Sequence, residues 1–313
     1  MHHQRWQVVL LPGGVLPAGP AYAALLAELG DGIDARAKDL EVYAGDAPPA
    51  GYSLETEVAG IERTADEAGF EHFHLVGYSG GGASSLAYAL EHPGRLLSLA
   101  LMEPAFAGWQ RMDPAERAVL ERFRSITDLP DVEMMVAFQR AQLAPGVELV
   151  PPPPGPPPPW MAKRPAGLRA FLDTFFRSDM DLDALARFER PVYLAVGGRS
   201  HPDYYARMAQ RLQGVFQDVT LEVYTERHHF DPPHRIEPAR VARGEMRLQP
   251  FAFGLRRLVV PECRKKLAGM RAVHEWPSSR SSGWSFRFSM LRARLMRERT
   301  VPPGMPSTIA ISS

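Results

Sequence analysis

Ser79 stands in Gly77-Tyr78-Ser79-Gly80-Gly81, a G-x-S-x-G pattern. A serine hydroxyl is a weak nucleophile until a base takes its proton, and the base in turn needs an orienting acid. The base belongs on a loop after the last strand. "RHHFDPPH" supplies His228, His229 and His234 there. His229 is the preferred base because it precedes an apolar residue and a downstream Glu-Pro that opens a final helix. His228 is the alternative, and His234 is expected to cap or to face solvent. Three histidines this close raise the question of a metal. "HHFDPPH" lacks the i,i+4 helical presentation of a zinc site, so none is expected.

Two carboxylates compete for the acid. Glu103 ends the apolar run "LLSLALM" just before Pro104, 24 residues after Ser79. A carboxylate there is costly unless it has a partner. Asp203 follows the apolar run "PVYLAVGG", where the simplest acid position holds the uncharged Ser200. Glu103 is favoured over Asp203, and Tyr204 and Tyr205 are expected to reach the pocket rim if Asp203 lies close to His229.

An attacked carbonyl also needs backbone donors for its oxygen. The Gly80 amide is one. The Val15 amide is the other, in "LLPGGVLPAG", where Gly13 and Gly14 permit a sharp approach. That loop lacks the G-x-G-x-x-G spacing of a dinucleotide site, so no cofactor is expected.

Elements able to hold these groups are visible in the chain. Apolar runs at 6–11, 39–44, 72–77, 96–102, 191–198 and 219–225 read as strands covered on both faces. Helical patterns lie at 17–29, 54–68, 83–91 and 202–213, with a serine cap at Ser53. This alternation predicts an α/β fold with a doubly wound, mostly parallel sheet. The elbow serine falls between a strand and a helix, where the helix dipole favours developing negative charge.

Residues 105–190 interrupt the alternation with helical patterns near 114–125, 131–143 and 165–177. They read as a helical cap, crossed by a stiff proline-rich strap at 151–159. The domains expected are a core in two parts, 1–104 and 191–243, the cap between them, and a poorly ordered basic tail, 244–313. Residues 250–313 hold twelve Arg or Lys against three Asp or Glu, so the rest of this neutral chain is acidic. An acidic body gives no general attraction to nucleic acid. The one cysteine, Cys263, precludes an intrachain disulfide, and no apolar run reaches membrane-spanning length. A cytoplasmic monomer or homodimer, without nucleic-acid or membrane partners, is the expectation.

The chain resembles the α/β-hydrolase superfamily over residues 6 to about 243. The resemblance is carried by "LLPGG", "LVGYSGG", "LALMEPA", "RPVYLAVGG" and "HHFDPPH", in the family's order of serine, acid and histidine. It implies an α/β-hydrolase sheet lacking the usual first two strands. An acid at Glu103 is placed as in the haloalkane dehalogenase-like and luciferase-like branches. Those relatives carry Asp as nucleophile, whereas Ser79 points to acyl transfer. The implied activity is hydrolysis of a small apolar or aromatic ester, thioester or lactone. Gly14, Tyr78, Trp109, Phe138 and Trp160 are expected to contact that substrate. The same fold also supports carbon–carbon bond hydrolysis, perhydrolysis, a non-catalytic ligand receptor or an inactive member.

Overall fold

The computed structural model describes residues 5–149 and 154–242. The 244–313 tail and part of the 151–159 strap lie outside the described residues. The elements run β1 (Trp6–Leu11), α1 (Ala18–Glu28), β2 (Ile33–Ala37), α2 (Leu54–Glu67), β3 (Phe73–Tyr78), α3 (Gly80–Glu91) and β4 (Leu96–Met102). The cap follows with α4 (Pro114–Ile126), α5 (Asp131–Arg140), α6 (Arg164–Arg177) and α7 (Leu182–Leu185). The chain then returns through β5 (Val192–Gly197), a π-helical turn at Pro202–Ala206, α8 (Arg207–Gln213), β6 (Val219–Tyr224), α9 (Pro233–Ile236) and α10 (Pro238–Ala242).

The strands form one parallel sheet in the order β2-β1-β3-β4-β5-β6. This corresponds to the third to eighth strands of the eight-stranded α/β-hydrolase pattern. Alternate residues feed opposite faces, as the period of a strand requires. Val9, Leu11, Phe73 and Leu75 join the core under α2, α3 and the cap. Val8, Leu10 and Val76 join a smaller core with Tyr22 and Leu25 of α1 and Val241 of α10.

The order reverses at β1, with β2 on one side and β3 on the other. The C-terminal strand ends therefore diverge there and leave a crevice, the usual ligand position in open α/β sheets. The β1 loop and the serine turn flank it, joined by the bond from Gly81 N–H to the Pro12 carbonyl (2.9 Å).

One expected strand is corrected. Residues 39–44 are not a strand but contain a 3₁₀ turn at Glu41–Tyr43, and the second strand is the polar segment Ile33–Ala37. The turn wins because the buried Glu57 carboxylate accepts from the amides of Glu41 (3.0 Å) and Val42 (3.1 Å), and from the Tyr52 hydroxyl (2.7 Å). Those amides are therefore satisfied without a strand partner. Burial pushes the Glu57 carboxyl up, against the opposing pull of Lys38 and these donors.

Candidate active site

Ser79 has φ 51° and ψ −114°, a strained backbone for a residue with a side chain. It persists because strand and helix are packed tightly on either side. A Cβ added at Gly77 would lie 2.4 Å from the Gly81 carbonyl oxygen, and one at Gly81 would lie 2.6 Å from Leu11. Only glycines let β3 and α3 pass this closely. The turn is fixed by Ser79 N–H to the Met102 carbonyl (3.0 Å) and by Ala105 N–H to the Ser79 carbonyl (2.8 Å).

Glu103 is a second non-glycine residue with positive φ, 46°. It sits one residue past β4, and its amide donates to the Ala195 carbonyl of β5 (3.0 Å). Its Oε1 accepts from Gly197 N–H (2.9 Å), which leaves Oε2 to accept from His229 Nδ1 (3.0 Å). Since a carboxylate only accepts, Nδ1 carries the hydrogen, and Nε2 is free to accept from Ser79 Oγ at 3.0 Å. All three side chains are buried.

Two tyrosines hold the imidazole. The Tyr78 hydroxyl donates to the His229 carbonyl, and the Tyr78 ring lies 5.1 Å from the imidazole. Tyr205 stacks on it at 4.5 Å with its hydroxyl 3.4 Å from Nε2. Burial, and then the Glu103 charge, push both phenols well above the ordinary tyrosine value, so both remain hydrogen donors. Tyr205 donates to Gln142 Oε1 in the cap (2.8 Å). Gln142 also accepts at its carbonyl from His201 N–H (2.9 Å), beside an antiparallel bridge between Leu143 and Ser200. The cap is thereby stitched to the loop after β5. Sequence reading tied Tyr205 to Asp203; its aromatic type beside a proline-started turn was the only signal available.

The competing candidates are elsewhere. Asp203 is half exposed and paired with Arg207 (3.0 Å). His228 pairs with Asp231 (3.2 Å), and its Nδ1 accepts from Phe230 N–H. His234 does not face solvent: it is buried, stacks on Tyr22 at 4.7 Å, and burial pushes it down to about 3.

Two cavities meet at Ser79. One, about 1810 Å³, is bordered by Gly13, Gly14, Val15, Tyr78, His229 and Trp160 among others. The second, about 20 Å³, lies under the cap against Gly14 and Gly80. Phe138 borders both. Trp109 borders neither, which corrects its expected substrate contact; its indole N–H is spent on the carbonyls of Phe175 (3.0 Å) and Ser178 (3.2 Å). Among the described residues Gly80 N–H has no backbone acceptor. The Gly14 carbonyl accepts from Tyr43 (2.5 Å), whose ring carries the Arg164 guanidinium at 3.8 Å. Helix α6 of the cap thus braces the glycine loop.

Residues 8–144 match a family model described as the alpha/beta hydrolase fold. A putative carbamate hydrolase, RutD, from Caulobacter segnis is 37% identical over 67 residues, 21% of this chain and 24% of that protein. A fluoroacetate dehalogenase from a Burkholderia species is 34% identical over 83 residues, 24% of this chain and 27% of that protein. The matched stretch thus spans about a quarter of the length of these curated relatives. The crystal structure of carboxylesterase CesB from Bacillus subtilis superposes with a TM-score of 0.56 at 16% identity, covering 80% of this chain and 84% of that one. The fold, with its helical cap and serine elbow, is that of the α/β-hydrolases.

Proposed function

We propose that this chain, with its α/β-hydrolase fold, is a serine hydrolase that cleaves small apolar or aromatic carboxylic esters, thioesters or lactones. The observation that carries the reading is the continuous chain from Glu103 Oε2 through His229 Nδ1 and Nε2 to Ser79 Oγ, each gap 3.0 Å. His229 takes the Ser79 proton as Oγ bonds to the carbonyl carbon. The negative tetrahedral oxygen accepts from the Gly80 amide and from the amide of Val15 in the glycine loop. Each such donor lowers a barrier by about 3 kcal/mol. His229 then gives its proton to the leaving oxygen or sulfur as that bond breaks. Water, deprotonated by His229, attacks the acyl group and releases the acid and Ser79. Glu103 keeps the imidazole in the required tautomer and stabilises its transient charge.

The positive φ at both Ser79 and Glu103 supports the assignment of roles. Strain that the surroundings hold in place clusters at functional sites. Glu103 stands where haloalkane dehalogenase-like branches place an acid, while the serine replaces their aspartate and directs the chemistry to acyl carbon. The matched carbamate hydrolase and carboxylesterase are consistent with that direction.

A fluorophosphonate probe tests the proposal. Intact protein should be labelled at Ser79, read by peptide mass spectrometry, with stoichiometric loss of esterase activity. Folded protein that takes no label at Ser79 would rule the proposal out.

A further inference from the structure

Val15 supplies the second proposed oxyanion donor, and its N–H shares one planar peptide with the Gly14 carbonyl. In a trans peptide the two point in opposite directions, so whatever holds the carbonyl aims the N–H. The Gly14 carbonyl is held by the Tyr43 hydroxyl at 2.5 Å. Val15 N–H itself donates to no acceptor among the described residues. Gly14 borders both cavities that meet at Ser79 and shares the smaller with Gly80, so this peptide lies beside the proposed oxyanion site.

Tyr43 comes from the segment where a strand was expected. The 3₁₀ turn that Glu57 holds there carries it to the glycine loop. Its ring is seated against α6, where a Cβ at Gly167 would lie 2.0 Å from it. Glycine destabilises a helix interior relative to alanine, so α6 gives up stability to admit this ring. The next residue, Leu168, closes on the loop: a Cβ at Gly14 would lie 2.9 Å from it.

A cation backs the tyrosine. The Arg164 guanidinium lies 3.8 Å from the centre of the Tyr43 ring and 5.3 Å from that of Trp160. Arg164 is 3% exposed, makes no ion pair among the described residues, and its Nε has no hydrogen-bond partner there. A buried cation is costly without a counter-charge, and aromatic faces offset only part of that cost. The proposed reaction makes a counter-charge, the tetrahedral oxygen. The series Tyr43 O–H, Gly14 C=O, Val15 N–H then runs from the cation toward the new anion, each member polarising the next. Burial pushes the Tyr43 phenol up and Arg164 opposes it, so the hydroxyl keeps its hydrogen and donates more strongly than burial alone would allow. An interaction that grows as charge develops speeds the step, whereas one complete in the bound ground state does not.

We infer that Tyr43 and Arg164 are positioning residues of the oxyanion hole: Tyr43 aims the Val15 amide, and Arg164 strengthens it as negative charge forms. This rests on the serine hydrolase reading and deepens it, giving helix α6 of the cap a share in the rate.

Tyr43→Phe keeps the ring and removes the hydroxyl. On 4-nitrophenyl acetate its kcat should fall about tenfold or more, short of the loss of about 10²- to 10³-fold on removing a whole donor, while KM stays within about twofold. Phenyl trifluoromethyl ketone, which Ser79 converts to a tetrahedral oxyanion, should bind more weakly by a similar factor. The corresponding alcohol forms no oxyanion and should bind as it does to the native chain. Both affinities are read from protection of Ser79 against the fluorophosphonate probe. Arg164→Met keeps the stem, removes the charge and carries the test if Tyr43→Phe fails to fold. It should show the same split, with kcat lowered about threefold or more. Native-like kcat in either folded variant, or equal weakening of ketone and alcohol, overturns the inference and leaves the serine hydrolase intact. A native chain that neither turns over an ester nor takes the label at Ser79 overturns both.

Discussion

The C-terminal ends of β4 and β5 are neighbours in the sheet, paired as far as Met102 with Ala195, yet they are built for opposite tasks. The β4 end carries a carboxylate on a strained residue, Glu103. The β5 end carries none: Gly197 and Gly198 lead to Ser200, whose buried hydroxyl has no hydrogen-bond partner among the described residues. What β5 supplies is a donor, the Gly197 amide that holds Glu103 Oε1. It must be a glycine. A Cβ there would lie 2.7 Å from both the Arg227 carbonyl oxygen and Ser200 Oγ. One strand end charges the site, and the other is stripped of side chain so that the charge can be gripped. The position of an acid thus depends on what its neighbouring strand leaves open.

The sharpest way to break this comparison is Glu103→Gln, which keeps the shape and removes the charge. In the proposed mechanism, kcat on an acetyl ester should fall about 10³- to 10⁴-fold, as the imidazole loses its required tautomer. Next comes Gly197→Ala, which crowds β5 and displaces the Glu103 carboxylate. A shift of about 1 Å at a catalytic group costs on the order of 100-fold in rate. Steady-state kinetics with a circular dichroism check of folding read both variants.

A third expectation concerns stability beside the β4 end, where His234 Nδ1 lies 3.3 Å from Met102 Sδ. Burial lowers this imidazole to about 3 from an ordinary 6.5. The unfolded chain takes up a proton below pH 6.5 that the folded chain refuses. The contribution is therefore fully present above pH 6.5 and is lost as pH falls toward 3. Between pH 6.5 and 5 the loss is about 2 kcal/mol, at about 1.4 kcal/mol per pH unit. His74, lowered by burial to about 4, acts in the same direction. Urea denaturation at the two pH values should show the drop, and His234→Phe should reduce it.

Smaller effects define the edges of the site. Tyr205→Phe removes the cap-linked hydroxyl but keeps the stacked ring, and should lower kcat about three- to tenfold with little change in KM. Asp203→Asn should alter kcat/KM by less than about twofold, since Asp203 pairs with Arg207 while His229 Nδ1 is held by Glu103. A loss comparable with that of Glu103→Gln would reverse the comparison and move the acid to β5.

Much of this arrangement was legible because its demands are local. A glycine-flanked serine between an apolar strand and a helix, and a carboxylate ending an apolar strand, carry their reasons in adjacent residues. Segment 39–44 misled because its apolar Leu40 and Val42 do face the core, yet the amides that decide the backbone answer to Glu57, a residue in a later helix. The true strand, Ile33–Ala37, escaped notice because an edge strand need not be apolar. The burial of His234 depends on Tyr22 and Tyr78, which no spacing near residue 234 reveals. Trp109 was misplaced for the same reason, as its partners lie about 70 residues away.

The bond from Tyr78 to the His229 carbonyl has a consequence for how the molecule loosens. Loops that bear a catalytic group commonly open on their own, far below the free energy of global unfolding. Here the histidine loop is fastened to the residue directly before the proposed nucleophile, inside a strand paired on both sides. The proposed base and nucleophile therefore belong to one cooperative unit. Thermal inactivation should track melting of the sheet, and amide exchange at Asp231, whose N–H donates to the His228 carbonyl (2.8 Å), should be as slow as in β3.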